Sequence, residues 1–245
     1  MAKKEEALVV KEESALARPT WLDADSRRGT ENMQREDIQL PRVALAQPLS
    51  PQVVDVMQRI EGLNVGNMFN ALTGDILGNG PLLFMPVFAD RARGVQFKDI
   101  KDGGGVLDFD VPLDDPRMQF TTNDKGERVK PTATKFYDYV VVLLESAELV
   151  AISFKGMGLK VAKQLNGLIN ARKADMFAGR YSLTSKVVSK GGFTYATFEV
   201  KNAGWVTEEQ FAVGAKYYEQ LKTKNVVIDR GTAGEAAAET GDVPF

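Results

Sequence analysis

The sequence contains no cysteine and no histidine among its 245 residues. These absences exclude disulfide frameworks, cysteine nucleophiles, Cys/His zinc sites and every catalytic triad that relies on an imidazole. An enzyme of this composition would have to use carboxylates, lysine, tyrosine or a hard cation held by carboxylates. We therefore expect a protein without enzymatic activity, resident metal or cofactor.

Long apolar segments are missing as well. No run approaches the roughly 20 residues that a membrane-spanning helix needs. Residues 1–10 contain lysine and glutamate where a secretory signal peptide needs an apolar stretch. We therefore expect a cytoplasmic protein that does not bind membranes.

Charge is distributed unevenly, although the net formal charge is only −2. Residues 151–228 contain 12 Lys and Arg against 5 Asp and Glu, whereas residues 99–150 contain 6 against 11. The residues after 228 contain four acids and one Arg. A basic segment followed by an acidic tail can bind a polyanion with one part and compete for that site with the other. Ordinary solvated faces would give the same asymmetry, so charge alone leaves both interpretations open.

Composition divides the chain into three parts. Residues 1–37 are polar, charged and without sustained apolar periodicity, which predicts a disordered N-terminal arm. Residues 38–228 form one predicted domain, interrupted at 99–134 by an acidic, Gly- and Pro-rich insertion loop without strand or helix signals. Residues 229–245 are rich in Ala, Gly and Glu, which predicts a disordered acidic C-terminal tail.

Apolar patterning within the domain predicts an α+β, mostly β fold. Residues 136–145 are aromatic and β-branched, as is typical of a strand, and residues 149–154 follow as a hairpin partner. Other strands are expected at 38–47, 81–90 and 95–98, and in a hairpin of 181–188 with 193–200 around a Gly191-Gly192 turn. The second strand of this hairpin alternates, with Phe193, Tyr195 and Thr197 on one face and Ala196, Phe198 and Val200 on the other. Helices are expected from Ser50 to Gly62, at 156–173, where the apolar residues form a wide stripe, and from Thr207, which begins the helix by capping-box logic, to about 224. Residues 62–80, rich in Asn and Gly, predict a long loop or a short helix.

Basic and aromatic residues interleave on the predicted strands and on the helix at 156–173. Proteins that hold single-stranded nucleic acid need a basic groove for phosphates and aromatic faces on which bases stack. The candidate phosphate-binding residues are Arg91, Arg93, Lys98, Lys155, Lys160, Lys163, Arg172, Lys186, Lys190 and Lys201. The candidate base-stacking residues are Phe136, Tyr139, Tyr195 and Trp205. The alternative is that these rings fill the core, which is the commoner place for an aromatic on a strand.

The chain ends on Asp242-Val243-Pro244-Phe245, at the end of the acidic tail. This ending resembles the tail tip of bacterial single-stranded-DNA-binding proteins, which is Asp-x-Pro-Phe. It is also similar to phage single-stranded-DNA-binding proteins, which tend to end in an acidic, Phe-terminated tail. The sequence has one Asp near the tip where the bacterial tail has a run of them.

The resemblance implies a phage-type single-stranded-DNA-binding protein. Its body would be an OB-like antiparallel barrel with helical decorations, and it would bind single-stranded DNA without sequence preference during DNA replication or recombination. The four terminal residues would recruit replication or recombination proteins, and the chain would act in the bacterial host cytoplasm. Self-association into a homo-oligomer stays open.

Two other functions fit parts of the sequence. A virion or assembly protein would use the polar arm and the long insertion to reach neighbouring subunits. A metal-dependent nuclease would use Asp108 and Asp110, because alternate carboxylates on a strand face the same side. A solvated acidic loop is the better explanation of those two aspartates, because the whole segment is acidic and rich in Gly and Pro.

Overall fold

The structure, a computed structural model, describes residues 40–99 and 105–222. The predicted N-terminal arm at 1–37 and the acidic tail at 229–245 lie outside the described residues, as does the side chain of Lys190. The helices are α1 (Pro51–Val54), α2 (Leu159–Ala171) and α3 (Glu208–Leu221). The strands are β1 (Arg42–Leu45), β2 (Met68–Asn70), β3 (Ile76–Gly78), β4 (Leu82–Ala89), β5 (Arg93–Phe97), β6 (Val106–Val111), β7 (Thr121–Thr122), β8 (Arg128–Val129), β9 (Ala133–Leu143), β10 (Leu149–Lys155), β11 (Gly179–Lys190) and β12 (Phe193–Trp205).

Ten of these strands form one sheet, in the order β12-β11-β4-β9-β10-β1-β2-β3, with β5 paired to β9 and β6 paired to β5. Strands β7 and β8 form a separate two-stranded hairpin. The mostly β prediction is confirmed. The expectation of a purely antiparallel sheet is wrong, because β1 runs parallel to β10. A parallel pair requires a long crossover, and the strands β2 to β9 lie between these two partners in the chain.

The sheet curls, and its inner face encloses the main hydrophobic core. Buried side chains from seven strands and from α2 meet there, including Leu45, Phe84, Phe154, Leu165 and Phe198. The ring of Phe154 packs edge-on against those of Tyr139 and Phe198, at centroid distances of 5.7 Å. Edge-to-face contacts of this kind add to the energy of area burial. Helix α2 lies against this core through Ala162 and Leu165.

Helix α3 covers part of the outer face of the sheet. It begins with the predicted capping box, because Thr207 and Gln210 each accept a hydrogen bond from the other's backbone N–H. Gly214 lies in the middle of this helix, where an added Cβ would stand 2.8 Å from the Cβ of Phe177 and 3.1 Å from Met85. The glycine therefore allows α3 to approach the sheet closely.

The end of β1 is linked to the edge strand β12 by the side chain of Gln47, which follows β1. Its Nε2 donates to the carbonyl of Ala196 on β12 at 3.0 Å, and its Oε1 accepts from the N–H of Ala196 at 2.9 Å. β12 is an edge strand, so this buried amide satisfies two backbone groups that a neighbouring strand would otherwise pair. The Oγ of Ser185 on β11 also donates to the carbonyl of Gly66.

Three predicted elements differ in the structure. The helix expected from Ser50 to Gly62 is one turn that ends at Val54, because Asp55 is extended and the side chains of Val56 and Met57 after it are each 90% exposed. The Gly-rich stretch at 62–80 contains the hairpin β2–β3 in place of a loop or helix. The insertion at 99–134 contains β6, which adds to the sheet through β5. Long-range pairing stabilises these short strands, and local sequence does not signal it.

We predict that Gln47→Ala destabilises the fold by about 2–5 kcal/mol, because it leaves a buried N–H and a buried C=O of Ala196 without partners. Urea unfolding would measure the loss. Gln58→Ala, at an exposed position in the same region, should change stability by less than about 0.5 kcal/mol. Equal midpoints for the two variants would contradict the structural role assigned to Gln47.

Candidate nucleic-acid interface

The β11–β12 hairpin carries several of the predicted binding residues and presents two different faces. The alternation predicted for its second strand is confirmed: Ala196, Phe198 and Val200 are buried in the core. The residues between them point to the opposite, outer face. Residues that pair directly across the two strands share a face, and the register therefore places Lys186, Tyr195 and Lys201 together on the outer face.

One of the cations on this face is engaged in an ion pair. Lys186 is bonded to Glu199, which lies on the same face one step along β12. The hydrogen bond from the Lys186 ammonium holds the pKa of the Glu199 carboxyl below its ordinary value. Lys201 is exposed. The outer face of the hairpin thus offers Lys201 directly to a ligand, and Lys186 only in competition with Glu199.

Helix α2 runs along the free edge of β12. Gln164 Nε2 donates to the carbonyl of Val200 at 3.1 Å. Just after the C-terminal end of the helix, Arg172 Nη2 donates to Asn202 Oδ1 at 2.5 Å. Lys160 and Lys163 lie on the exposed side of this helix. The helix therefore brings its two lysines alongside β12, at the edge of the hairpin that carries Lys201.

Trp205 ends β12 and is the most exposed of the predicted stacking residues, with 58% of its surface accessible. The guanidinium carbon of Arg172 lies 4.3 Å from the centroid of the indole ring. Arg172 also donates to the carbonyl of Gly204, so its guanidinium is held in place from two sides. Arg180 donates through Nε to the carbonyl of Ala203 at 2.9 Å. An exposed indole therefore lies beside two anchored arginines.

The remaining predicted cations lie elsewhere, around β5 and β10. Arg91 forms a 3.0 Å ion pair with Asp110, and Arg93 forms a 2.6 Å ion pair with Asp90. Lys98 is exposed just after β5. The ammonium of Lys155 lies 5.5 Å from the ring centroid of Phe136. The structure thus divides the predicted basic set into one group along α2 and β12 and a second group beside β5.

A model of the Pam3 phage gp34-like protein family matches residues 10–227. The chain belongs to this family. The match indicates a bacteriophage origin and includes every described element from β1 to α3. It ends before the Asp242–Phe245 tip, so the resemblance at the tail stays a prediction. No curated protein and no solved structure matches the chain.

Two of the predicted stacking residues are core residues. Phe136 and Tyr139 are each 1% exposed, so neither ring is accessible to a base, and the stacking role predicted for them is wrong. Phe136 is covered by Lys155 and by the ring of Phe97. Tyr139 donates through its hydroxyl to Asn166 on α2 at 2.7 Å, and burial raises the pKa of this phenol to about 12. Tyr195 is half-buried on the outer face of the hairpin.

Arg180 was not among the predicted binding residues, although the sequence contains a signal for it. Counting the hairpin register outward from the Gly191-Gly192 turn pairs residue 180 with residue 203, next to Trp205. In the structure the register shifts between Gly179 and Tyr181, and the side chain of Arg180 donates to the carbonyl of Ala203.

The aspartates proposed for a nuclease are paired with arginines. Arg117 donates to Asp108 at 3.0 Å and to Asp115 at 2.8 Å, and it lowers the pKa of Asp115 to about 2. Asp110 is paired with Arg91. Among the described residues no group of three or more acidic side chains could hold a metal ion. The carboxylates of Asp108 and Asp110 therefore hold the insertion in place through arginines and do not converge on a metal ion.

In the described part of the chain, no helix has both the length and the apolar composition needed to cross a membrane.

Asp138 is buried on the outer face of the sheet beside the second group of cations. Ser153 donates to its Oδ1 at 2.6 Å, and Arg93, Asp90 and Arg42 all act on it electrostatically. Burial outweighs the hydrogen bond from Ser153 and the two arginines, and it raises the pKa of the carboxyl above its ordinary value. Folding therefore favours the protonated form of this group.

We predict that the stability of the wild-type protein relative to Asp138→Asn falls as the pH rises through the folded-state pKa of Asp138. A raised pKa in the folded state contributes stability that is fully present below the unfolded-state pKa and is lost above the folded-state pKa. Urea unfolding at a series of pH values would measure the difference. Asp175→Asn, at an exposed position, is the control. A relative gain in stability with rising pH would show that the arginines keep Asp138 ionised.

Proposed function

We propose that the protein binds single-stranded DNA without sequence preference and protects it during phage DNA replication or recombination, without turnover chemistry. The observation that carries this proposal is the exposed indole of Trp205, beside the anchored guanidinium of Arg172, at the end of a basic edge formed by α2 and β12. Such an arrangement combines a stacking platform with cations for phosphates, which is what binding of unpaired strands requires.

The platform is organised before any ligand arrives. Arg172 is bonded to Asn202 and to the Gly204 carbonyl, so little side-chain entropy remains to be lost on binding. One face of the indole is in contact with the guanidinium, and more than half of the residue's surface is accessible. A base that stacks on Trp205 contributes about 1–3 kcal/mol.

Phosphate contacts would come from the cations that form no ion pair in the described part of the chain. Lys160, Lys163 and Lys201 are exposed, and in the described ranges no carboxylate lies within ion-pair distance of them. Lys186 would contribute less, because binding a phosphate there requires breaking its bond to Glu199. The proposed path of the strand therefore follows α2 and the outer side of β12 towards Trp205.

The fold supports this proposal. A sheet curled around a core, with the helix between β10 and β11 packed against its interior, is consistent with an OB-like body, a class that binds oligonucleotides on a strand face. The OB-like description is part of the proposal, since the sheet is open and mixed.

A structural role in the virion is the second candidate. Val56 and Met57, after α1, are each 90% exposed, and apolar side chains presented so fully are typical of contact with another protein. Assembly of the purified protein into large particles without DNA would favour this function.

We predict tight binding to a labelled single-stranded oligonucleotide, weaker binding to a duplex, and a steep loss of affinity with salt, all measured by fluorescence anisotropy. Lys163→Gln should reduce the slope of log affinity against log salt by roughly 0.7, the value for one phosphate contact on a single strand. Lys216→Gln, an exposed lysine on α3, should leave the slope unchanged. A salt-insensitive affinity would contradict the phosphate part of the proposal.

The same titration tests the stacking platform. The chain has two tryptophans, Trp21 and Trp205, so in Trp21→Phe the fluorescence reports on Trp205 alone, and a stacked base should quench it. Trp205→Ala should weaken binding by about 1–3 kcal/mol, whereas Trp205→Phe should retain most of the affinity. Unquenched fluorescence at saturating oligonucleotide would exclude Trp205 from the interface.

We predict that deletion of residues 242–245 leaves oligonucleotide binding unchanged or stronger, because it removes negative charge, and abolishes binding to replication or recombination proteins. Anisotropy and direct binding to purified host replication proteins would measure the two effects. A chain with these four residues in scrambled order retains the charge and is the control. Loss of DNA binding on deletion would contradict the role assigned to the tail.

A further inference from the structure

The β7–β8 hairpin is an ordered projection within the insertion that the sequence predicts to be a loop. Every residue from 119 to 130 is exposed, so the hairpin is not held by burial. It adds no side chain to the four hydrophobic clusters of the described chain. Its order comes from polar contacts within the hairpin and at its base.

Asn123 organises the tip. Its Oδ1 accepts from the N–H groups of Lys125 and Glu127 at 3.0 and 2.9 Å, and its Nδ2 donates to the Glu127 carboxylate at 2.8 Å. Gly126 completes the turn with a φ of +81°, a conformation that favours glycine. At the base, Arg117 bonds to Gln96, Asp108 and Asp115. The hairpin is therefore fixed at both ends.

An aromatic ring is presented on this projection. Phe120 is 50% exposed, and the guanidinium carbon of Arg128 lies 3.7 Å from the centroid of its ring. A half-exposed phenyl that packs into no core costs solubility without stabilising the fold. The same arrangement occurs at Trp205, where the guanidinium carbon of Arg172 lies 4.3 Å from the ring centroid. In both pairs an arginine covers one face of the ring, and the rest of the ring is accessible.

Charge in the insertion is separated between the base and the tip. The base contains the aspartates that Arg117 and Arg91 bind. The tip, residues 119–130, has three cations, Lys125, Arg128 and Lys130, against two acids. The acidic excess of residues 99–150 therefore does not extend to the tip of the hairpin. The tip carries a small net positive charge, which is compatible with binding a polyanion.

We propose that the β7–β8 hairpin is a second contact for single-stranded nucleic acid, with a base stacked on Phe120 and a phosphate near Arg128. The proposal rests on the proposed function and extends it: a strand bound at Trp205 would also be held by the insertion. An anionic, base-bearing ligand fits better than an apolar protein surface, because the accessible ring is in contact with Arg128 and the same hairpin carries two lysines.

The test measures the affinity of full-length variants for oligothymidylates of increasing length. Phe120→Ala should bind long oligonucleotides roughly 5- to 150-fold more weakly, the range expected for one lost stacking contact. It should bind the shortest ones, which reach only Trp205, as the wild type does. Phe120→Tyr keeps a ring and should bind normally. Val129→Ala removes apolar surface from the same hairpin and is the matched control. Phe120→Tyr and Val129→Ala should both bind the oligonucleotides with the affinity of the wild type.

The outcomes separate the two proposals. If Phe120→Ala matches the wild type at every length while Trp205→Ala weakens binding, the hairpin contact is wrong and the proposed function stands. If Phe120→Ala changes only the sedimentation of the free protein, the hairpin binds protein and the inference is overturned. If the wild type binds no single-stranded oligonucleotide, the proposed function itself is wrong. Equal thermal unfolding of all variants excludes misfolding, since the hairpin buries no core residue.

Discussion

The buried amide of Gln47 is the contact on which the shape of the sheet depends. A ten-stranded sheet with free edges at β12, β3 and β6 has no backbone ladder to keep it curled, and unpaired edge groups inside a protein are costly. The reciprocal bonds between Gln47 and Ala196 substitute for such a ladder at one residue. They place the end of β1 against β12, so that the aromatic core of Tyr139, Phe154 and Phe198 is enclosed.

The same curl decides which cations are available to a ligand. Because α2 packs into the curled sheet and runs along β12, its lysines and Arg172 lie beside the free edge of the hairpin. Arg91 and Arg93 lie on another part of the sheet and neutralise aspartates there. Arginines in this protein therefore have two uses. Some bind carboxylates that hold the insertion, and others cover one face of an exposed ring.

Strong local patterns predicted the elements that form the site. The alternation in β12, the Gly191-Gly192 turn, the apolar stripe of α2 and the Thr207 capping box each encode a structure within about a dozen residues, and all four are confirmed. The interleaving of rings and cations was less informative. It could not distinguish Phe136 from Trp205, because burial depends on which element covers a face, and the covering residue Phe97 comes from a strand distant in sequence.

By itself, the sequence determined that the chain has no cysteine or histidine chemistry, that its body is mostly β, and that residues 151–228 carry a net positive charge, because composition and short-range periodicity carry this information. Only the tertiary structure decided the parallel pairing of β1 with β10, the ordering of the insertion by Arg117, and which rings remain accessible. These features depend on contacts between residues far apart in the chain. The net free energy of each contact is a small difference between the cost of desolvation and the gain from pairing. No local sequence pattern encodes such contacts.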